Sequence, residues 1–408
     1  LRTASDKDGI AVKVLVSAFQ CAPGYGGEIG NGWMWSTSLA DHGHQVTVLT
    51  HPEFKDRVLA GGRPDIDFHF IEAYEIPVKL PGGIEGYDEY RRWQNKAYEF
   101  AVGLRRTWDV THHTGWGSLH LGSRLWRLPQ PLVYGPIGGG QTAPSNYRSY
   151  FGREWPVEKA RSVATGSLLK LNGWTKETLR NSSVVLVTNS ATEAACRALG
   201  ARDIRYFLAD GLSQEYIGAA RQRPAGVPVI LWVGRMLARK APELAVQAFA
   251  ELRKTTQARL VMAGDGPFLP RVEATVKRLG LDGDVELLGR IPWPKLAELY
   301  DTSSLFLFCS LRDSSSAQFL EALGKGLPAV TLDLHGIGDV KVGLAAEKVP
   351  LPQRPEELPA DLAAAMRTVL TADDWAARSA AAIEFASENT FPTKAAAVTQ
   401  IYQEVAAR

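Results

Sequence analysis

The sequence predicts an α/β protein built from two domains with parallel sheets. Apolar runs at residues 12–19 and 45–50 have the length of buried strands, and the segment between them has the composition of a helix. The same order of strand, glycine-containing loop and helix begins again at residue 229. A chain of 408 residues is long enough for two such domains, each with its own core.

The boundary between the domains is expected in the stretch 223–228, which contains Pro and Gly residues typical of a linker. This assigns residues 10–222 to an N-terminal domain and residues 226–386 to a C-terminal domain. Residues 387–408 predict a last, Ala-rich helix that packs back towards the first domain. Residues 1–9 are polar and are expected to form a disordered extension.

The composition excludes several classes of protein. The 46 Lys and Arg residues nearly balance the 44 Asp and Glu residues, and the formal net charge of +2 gives no case for binding nucleic acid. The three cysteines are far apart and form no metal-finger spacing, which predicts reduced thiols in a cytoplasmic protein. No apolar run is long enough to cross a bilayer.

The loop after the first predicted strand is rich in glycine. Gly26 and Gly27 lie at the start of a predicted helix, where backbone N–H groups and the helix dipole attract phosphate oxygens. The dinucleotide-binding fingerprint is not met, because its third glycine would fall on Ile29. The second strand also lacks the terminal acidic residue that holds a ribose. A nicotinamide-linked oxidoreductase is therefore disfavoured.

Two further loops of the first domain follow predicted strands. His112 and His113 lie at the end of one strand, close to Trp116, and Gly138 and Gly139 follow the next. The carboxyl ends of parallel strands are where α/β proteins bind ligands, although paired histidines also occur as structural groups. The position of these residues favours a role in binding a ligand.

The stretch 147–180 is both basic and aromatic. Contact with an anionic acceptor or with the inner face of a membrane is one explanation of this composition. An ordinary pair of exposed helices is another, and the sequence does not decide between them.

In the second domain, Arg235 and Lys240 follow the strand 229–233 and precede Pro242, which suits the first turn of a helix. A strand end, a helix start and two cations converge at this place, and such an arrangement favours binding of a diphosphate. Later strands end in loops that would receive a nucleobase. These loops contain Gly264, Gly266 and Arg290.

Two carboxylates, Asp313 and Glu321, lie between the predicted strand that ends at residue 308 and the strand that follows Pro328. If both were helical they would be about 12 Å apart, too far to share a proton. They would instead contact separate parts of one hydroxyl-rich ligand, because an ionised carboxylate accepts hydrogen bonds from neighbouring hydroxyls. Helix capping by Asp313 is the simpler explanation when the stretch is considered alone.

Taken in order, these motifs resemble the retaining glycosyltransferases of family 4. The resemblance extends from about residue 12 to the C-terminus and implies the GT-B fold, in which two Rossmann-like domains face each other across a ligand cleft. It rests on the first glycine-rich loop, on Gly234, Arg235 and Lys240, on the segment 263–267, and on the segment 313–328.

The resemblance implies roles for individual residues. Arg235 and Lys240 would grip the donor diphosphate, and Glu321 would bind the nucleotide ribose. Asp313 stands where the family has a glutamate that binds the donor sugar, so the donor itself is expected to be unusual. His113, with His112 as the alternative, would lie near the transferred sugar and act in catalysis together with Arg235, Lys240 and Asp313. The acceptor side would be formed by His112, Trp116, Gly138 and Gly139. Gly26, Gly27 and the three serines Ser314, Ser315 and Ser316 complete the expected nucleotide-sugar contacts.

The implied function is transfer of a sugar, with retention of configuration, from a UDP- or GDP-type donor to an acceptor hydroxyl. The acceptor would be a glycan, a lipid-linked saccharide or a natural product. No metal or other cofactor is implied, since two cations already serve the diphosphate and no Asp-x-Asp motif ends a strand. The alternatives are a nucleotide-sugar epimerase on the same fold and a non-catalytic protein that binds sugar nucleotides.

Overall fold

The structure, a computed structural model, describes residues 11–73 and 84–408. The expected extension 1–9 lies outside the described residues. Two compact units are present, the first formed by residues up to Gly140, by Thr165–Ser213 and by Thr390–Arg408. The second consists of Gln141–Ala164 and Gln214–Asn389. Each unit contains a parallel sheet with helices packed on it, so the predicted fold class is confirmed.

The described part of the chain contains the following strands and helices. The strands are β1 (Lys13–Ser17), β2 (Gln45–Thr50), β3 (Asp67–Phe70), β4 (Val110–His113), β5 (Leu132–Ile137), β6 (Val184–Val187), β7 (Ile204–Tyr206), β8 (Val229–Val233), β9 (Arg259–Ala263), β10 (Val285–Gly289), β11 (Leu305–Phe308), β12 (Ala329–Leu332) and β13 (Ala346–Val349). The helices are α1 (Gly27–Asp41), α2 (Lys55–Ala60), α3 (Ile84–Gly103), α4 (Trp155–Gly166), α5 (Gly173–Asn181), α6 (Ser190–Leu199), α7 (Pro242–Arg253), α8 (Leu269–Arg278), α9 (Trp293–Thr302), α10 (Ala317–Gly324), α11 (His335–Asp339), α12 (Leu358–Thr371), α13 (Trp375–Glu388) and α14 (Phe391–Ala406).

The sheet of the first unit has the strand order β3-β2-β1-β4-β5-β6-β7, and all its strand pairs are parallel. The order reverses between β1 and β4, which is the doubly wound arrangement of a Rossmann-like domain. Because helices cover both faces of such a sheet, its central strands are apolar throughout rather than alternating. β4, β5 and β6 are buried at every position.

The second unit repeats this plan with the order β10-β9-β8-β11-β12-β13, again with parallel pairing. The order reverses between β8 and β11. Helices α7 and α12 pack against each other and contribute Leu244, Phe249, Met366 and Val369 to the core, and all four side chains are fully buried. The carboxyl ends of β8 and β11 therefore flank the position where such a fold binds ligands.

The segment 141–164 belongs to the second unit, although it precedes most of that unit in the sequence. Tyr147 and Phe151 are buried in the core formed by α7, α12 and the strands. The hydroxyl group of Tyr147 donates to the carbonyl of Pro352 at 2.9 Å, and that of Tyr150 donates to Gln247 Oε1 at 3.0 Å. The sequence predicts a single boundary at residues 223–228 and does not predict that residues 141–164 pack in the second unit. Packing partners so distant in sequence leave no local signal.

The burial of these aromatic rings removes them from any membrane-facing surface that the stretch 147–180 could form. Tyr147, Tyr150 and Phe151 fill the interior of the second unit and cannot contact a lipid surface. In the described residues, no helix combines the length and the apolarity that a membrane span requires.

The last helix, α14, lies in the first unit and packs against α1. Its apolar side chains Phe391, Val398, Ile401 and Val405 are buried together with Trp35 of α1 and the strand residues beneath. The N-cap residue Thr390 accepts a hydrogen bond from the backbone N–H of Thr393, which fixes the start of the helix.

Candidate functional site

The second unit contains a pocket of about 470 Å³ at the carboxyl ends of three neighbouring strands, β8, β9 and β10. Glycine backbone and small side chains form part of its wall, and two arginines border it. The pocket is lined by Val233, Gly234, Arg235, Ala263, Gly264, Asp265, Arg290, Ile291, Leu296 and Gln318. Its position at the carboxyl ends of parallel strands is the one at which doubly wound folds bind nucleotides.

Two glycines allow the loops after β8 and β9 to pack backbone against backbone. Gly264 has a φ of +140°, and a Cβ atom added to it would lie 1.9 Å from the carbonyl oxygen of Gly234. Gly266 has a φ of +148°, and its added Cβ would lie 2.6 Å from the carbonyl oxygen of Met236. Any side chain at Gly264 would therefore push the two loops apart and change the wall of the pocket.

The two cations predicted to bind diphosphate have different environments. Arg235 is exposed and lines the pocket. Lys240 is buried, and its ammonium group pairs with the carboxylate of Asp313 and lies 5.2 Å from the centre of the Phe308 ring. A donor diphosphate would meet Arg235 directly and would have to share Lys240 with Asp313.

Asp313 lies in the loop between β11 and α10, four residues before the helix begins. It therefore does not cap α10, whose N-cap residue is Ser316. Besides Lys240, Arg239 also contacts this carboxylate, with Nη1 3.3 Å from Asp313 Oδ1. The acid predicted to bind a sugar is thus held between two cations.

Glu321 lies on α10 and is partly exposed. The hydroxyl group of the buried Tyr300 donates to Glu321 Oε2 at 3.1 Å. Burial and the adjacent carboxylate raise the pKa of Tyr300 well above its usual value, so the hydroxyl group stays protonated and remains a donor. This bond fixes the orientation of the carboxylate predicted to bind a ribose.

The segment of the three serines predicted to contact the donor lies next to α11, the helix that follows β12. Ser315 and Ser316 are buried, and Ser316 Oγ donates to Gln318 Oε1 at 3.2 Å. Gly336 approaches Ser314 so closely that an added Cβ would lie 2.0 Å from the Ser314 carbonyl oxygen. The backbone of Ser314 therefore packs against α11.

Both histidines of β4 lie in the interior of the first unit. His112 Nε2 is 2.8 Å from the carbonyl oxygen of Gly135, and its Nδ1 contacts the hydroxyl group of Tyr402 at 2.5 Å. His113 Nε2 is 2.7 Å from the hydroxyl group of Tyr90. Burial lowers the pKa of His112 to about 4 and that of His113 to about 3, so both are neutral at pH 7.

The glycine-rich loop predicted to contact the nucleotide sugar and the predicted acceptor-side loop of Trp116 also have defined geometry. Gly26 is the N-cap of α1, and Gly27 has a φ of +62° with open space around it. Trp116 has a φ of +43°, stacks on Tyr90 with ring centres 5.2 Å apart, and donates from Nε1 to Gln20 Oε1 at 3.3 Å. A strained backbone held by this packing is often found at a binding loop.

Gly138 pairs with Ser118 in an isolated bridge, and Gly139 has a φ of +110°. These two glycines lie just past the end of β5. The backbone conformation of Gly139 requires a residue without a Cβ atom.

Among the described residues, no group of three or more His, Cys, Asp or Glu side chains is arranged to hold a metal ion. Cys21, Cys196 and Cys309 are free and buried. Burial raises the pKa of each of these thiols to about 12, which leaves them protonated at neutral pH.

A family model described as "Glycosyl transferases group 1" matches residues 227–372. Among curated proteins, N-acetyl-alpha-D-glucosaminyl L-malate synthase of Bacillus anthracis is 30% identical over 345 residues, covering 78% of this chain and 79% of that protein. The chain belongs to the group 1 glycosyltransferase family. The residues described above are therefore those of a glycosyltransferase homologue.

Other relatives of this group 1 glycosyltransferase match over shorter stretches. A phosphatidylinositol N-acetylglucosaminyltransferase component from Arabidopsis thaliana is 31% identical over 123 residues, 30% of this chain and 28% of that protein. Alpha-D-kanosaminyltransferase of Streptomyces kanamyceticus is 29% identical over 131 residues, 32% of this chain and 34% of that protein. The match thus spans about a third of the length of these two relatives.

Solved structures with low sequence identity show the same fold. Sucrose-phosphate synthase from Thermosynechococcus elongatus superposes with a TM-score of 0.70 at 18% identity, covering 97% of this chain and 99% of that chain. Anabaena HepE, crystallised with UDP and glucose, gives a TM-score of 0.62 at 16% identity, covering 97% and 100% of the two chains. The predicted GT-B fold class is confirmed.

Some residues of the pocket and of the contacts around Asp313 were not found from the sequence. Arg239 contacts Asp313, and Gln318 lines the pocket. Arg312 pairs with Glu158, which is 154 positions away in the sequence. A cation adjacent to Lys240 gives a weak signal for Arg239, but no local pattern indicates the partner of Arg312.

Proposed function

We propose that this protein is a retaining glycosyltransferase that moves a sugar from a nucleoside diphosphate sugar of UDP or GDP type to an acceptor hydroxyl. The observation that carries the proposal is the pocket of the second unit, where Arg235 borders glycine backbone at the carboxyl ends of parallel strands. A diphosphate requires this combination of a guanidinium group and accessible N–H groups.

The proposal assigns one part of the donor to each side chain. Arg235 binds the diphosphate and is joined by Lys240, while Glu321 binds the ribose from its fixed position beside Tyr300. Asp313 binds hydroxyls of the transferred sugar. The UDP and glucose bound to Anabaena HepE, and the sugar-transferring activities for which the two curated relatives are named, support a nucleotide-sugar donor.

The proposed chemistry needs no protein nucleophile. The acceptor hydroxyl attacks the anomeric carbon on the side from which the diphosphate leaves, and a diphosphate oxygen takes the proton of that hydroxyl. The bond between the anomeric carbon and the diphosphate oxygen breaks with its electron pair remaining on the diphosphate. Arg235 and Lys240 stabilise the negative charge that grows there.

Binding of donor nucleotides tests this function first. Thermal unfolding in the presence of UDP, GDP, ADP and their sugar conjugates should reveal one base that raises the midpoint, because a ligand of the native state stabilises it. Release of the free nucleoside diphosphate only when an acceptor is added would support a transferase. Release without any acceptor, or isomerisation of the sugar, would favour the epimerase, and binding without turnover would favour a non-catalytic protein.

Removal of divalent metal gives a separate prediction. Because Arg235 and Lys240 supply the positive charge for the diphosphate, turnover should persist in the presence of EDTA. Loss of turnover in EDTA together with recovery on addition of manganese would contradict this assignment.

The proposed acceptor is a lipid-linked saccharide, because exposed apolar side chains flank an exposed cation on the first unit. Leu168 and Leu171 of the first unit are 57% and 80% exposed, and Lys170 between them is exposed as well. Apolar side chains beside a cation suit an anionic lipid surface. Co-sedimentation with vesicles of phosphatidylglycerol would support this acceptor class, and its absence at low salt would favour a water-soluble glycan or natural product.

A further inference from the structure

We propose that Glu158 and Arg312 form a positioning pair that sets the carboxylate of Asp313 and thereby the recognition of the donor sugar. Neither side chain is assigned a role by the family motifs, and Glu158 lies outside the residues matched by the family model. The proposal rests on the function proposed above, in which Asp313 contacts the transferred sugar.

The pair is buried and in close contact, with one hydrogen bond and one further ion-pair contact. Arg312 Nε lies 2.6 Å from Glu158 Oε1, and Arg312 Nη2 donates to Glu158 Oε2 at 3.0 Å. The side chains of Arg312 and Glu158 are only 13% and 8% exposed. Two contacts between a guanidinium group and a carboxylate fix both distance and orientation, which a single contact does not.

The backbone of this loop is tied to the loop after β8. The amide groups of Leu311 and Arg312 donate to the carbonyl of Arg239 at 2.8 and 3.3 Å, and Ser310 Oγ donates to the same oxygen at 3.0 Å. In return, Arg239 Nη1 lies 3.3 Å from both the Arg312 carbonyl and Asp313 Oδ1. A shift of Arg312 would therefore also move its neighbour Asp313, because Arg239 contacts both residues.

The balance of charge explains why Glu158 is needed. Four cations contact the carboxylates of Glu158 and Asp313: Arg161 and Arg312 contact Glu158, and Arg239 and Lys240 contact Asp313. Asp313 is the other acid whose charge acts on Arg312. If Glu158 lost its charge, the buried guanidinium group of Arg312 would lose its ionic partner. The nearby carboxylate of Asp313 would then be the acid that pairs with it. That carboxylate would then be drawn away from the sugar.

The first test uses the free protein and requires no donor. Thermal midpoints of E158Q, D313N and the double variant are compared with wild type, and the same cycle is repeated with R378Q in place of E158Q. Arg378 is a matched control, because it is also buried in the second unit and pairs with Asp374 and Glu347. We expect non-additive shifts for E158Q with D313N and additive shifts for R378Q with D313N. Additivity in both cycles would overturn the proposal.

The second test measures recognition of the sugar. Dissociation constants of UDP and UDP-glucose, or of GDP and GDP-mannose if wild type binds guanine nucleotides, are determined for each variant. E158Q should weaken binding of the nucleotide sugar tenfold or more and change binding of the free nucleotide less than threefold. R312K should give a smaller loss because it retains the charge, and E158Q/R312Q should recover part of the loss because no unpaired charge remains.

The outcomes separate this inference from the proposed function. An unchanged ratio of the two dissociation constants in E158Q, or an equal change in R378Q, would refute the role of the pair while leaving the glycosyltransferase assignment intact. If no nucleotide bound to wild type, the proposed function would fail, and the stability cycles would still decide whether Glu158 and Asp313 are coupled.

Discussion

At the residue scale, the carboxylate of Asp313 is held in position by the two cations that contact it. An aspartate reaches one methylene less far than a glutamate, and here Lys240 and Arg239 hold its carboxylate from two sides. Removing the acid would leave the buried ammonium group of Lys240 without this partner, which is costlier than losing a surface ion pair. The acid therefore serves both the local structure and the proposed contact with the sugar.

Arg235 gives the clearest test at this scale. Because it is proposed to stabilise charge that develops on the leaving diphosphate, R235A should lower kcat about 100-fold and raise the donor KM much less. Steady-state kinetics on the donor identified by thermal unfolding would measure both constants. R259A is the matched control, since Arg259 is exposed in the same unit and pairs with Glu286. A change confined to KM would make Arg235 a simple binding residue.

The sequence predicts some of these side chains and not others for a physical reason. Arg235 follows a strand directly and precedes a loop and helix start, so its location at a strand end can be deduced from neighbouring residues. The pairing of Lys240 with Asp313, and of Arg312 with Glu158, depends on loops that meet only after the sheet has formed. Local patterns carry no information about such partners.

At the scale of elements, the loops after β8 and β9 are the part of the site most sensitive to side-chain size. They are joined by hydrogen bonds from the amide of Gly234 to the carbonyl of Ala263 at 3.1 Å and from the amide of Met236 to the carbonyl of Asp265 at 2.7 Å. Their close approach depends on Gly264 and places backbone groups along the pocket.

Replacement of Gly264 by alanine should therefore impair nucleotide binding. The added methyl group would overlap the Gly234 carbonyl oxygen, and the φ of +140° is unfavourable for any residue with a Cβ atom. We expect at least a tenfold weaker affinity for the nucleoside diphosphate, measured by isothermal titration calorimetry, and a lower thermal midpoint. G283A is the control, because Gly283 has open space around it. Equal affinities in G264A and wild type would contradict this account of the pocket.

The strands and helices themselves were largely predictable, since runs of apolar residues bounded by glycine and proline mark them clearly. The surroundings of His112 and His113 were not. Their location at a strand end is correct, but β4 is a central strand with both faces covered, and the side chains enter the core on either side of it. A sequence shows that a histidine ends a strand; it does not show that Tyr402, 290 positions later, will lie against it.

At the scale of the whole molecule, the first unit should be the part that loses stability in acid. His112 and His113 are neutral when folded because burial lowers their pKa values to about 4 and about 3. His44, whose pKa is lowered to about 4 by burial, adds to the same effect. In the unfolded chain these groups bind protons below about pH 6.5, so the stability that the three neutral histidines contribute is complete above that pH and is lost as the pH falls towards 4.

Hydrogen exchange followed by mass spectrometry can locate this loss. Peptides from β4 and α14 should exchange faster at pH 4.5 than at pH 7 after correction for intrinsic rates. H112Q should show a shallower dependence on pH, although it is less stable at pH 7. The exposed His42 provides the control H42Q, in which the peptides from β4 should retain the wild-type dependence. The same dependence in H112Q and wild type would exclude His112 as a source of the effect.

The excursion of residues 141–164 into the second unit limits how this enzyme can be recombined with its relatives. A chimaera made by joining two sequences near residue 226 would separate Tyr147 and Phe151 from the interior they fill. The recipient half would then receive side chains shaped for a different core. A chimaera that exchanges the second unit between family members must therefore transfer residues 141–164 together with residues 214–389, because the two segments share one core.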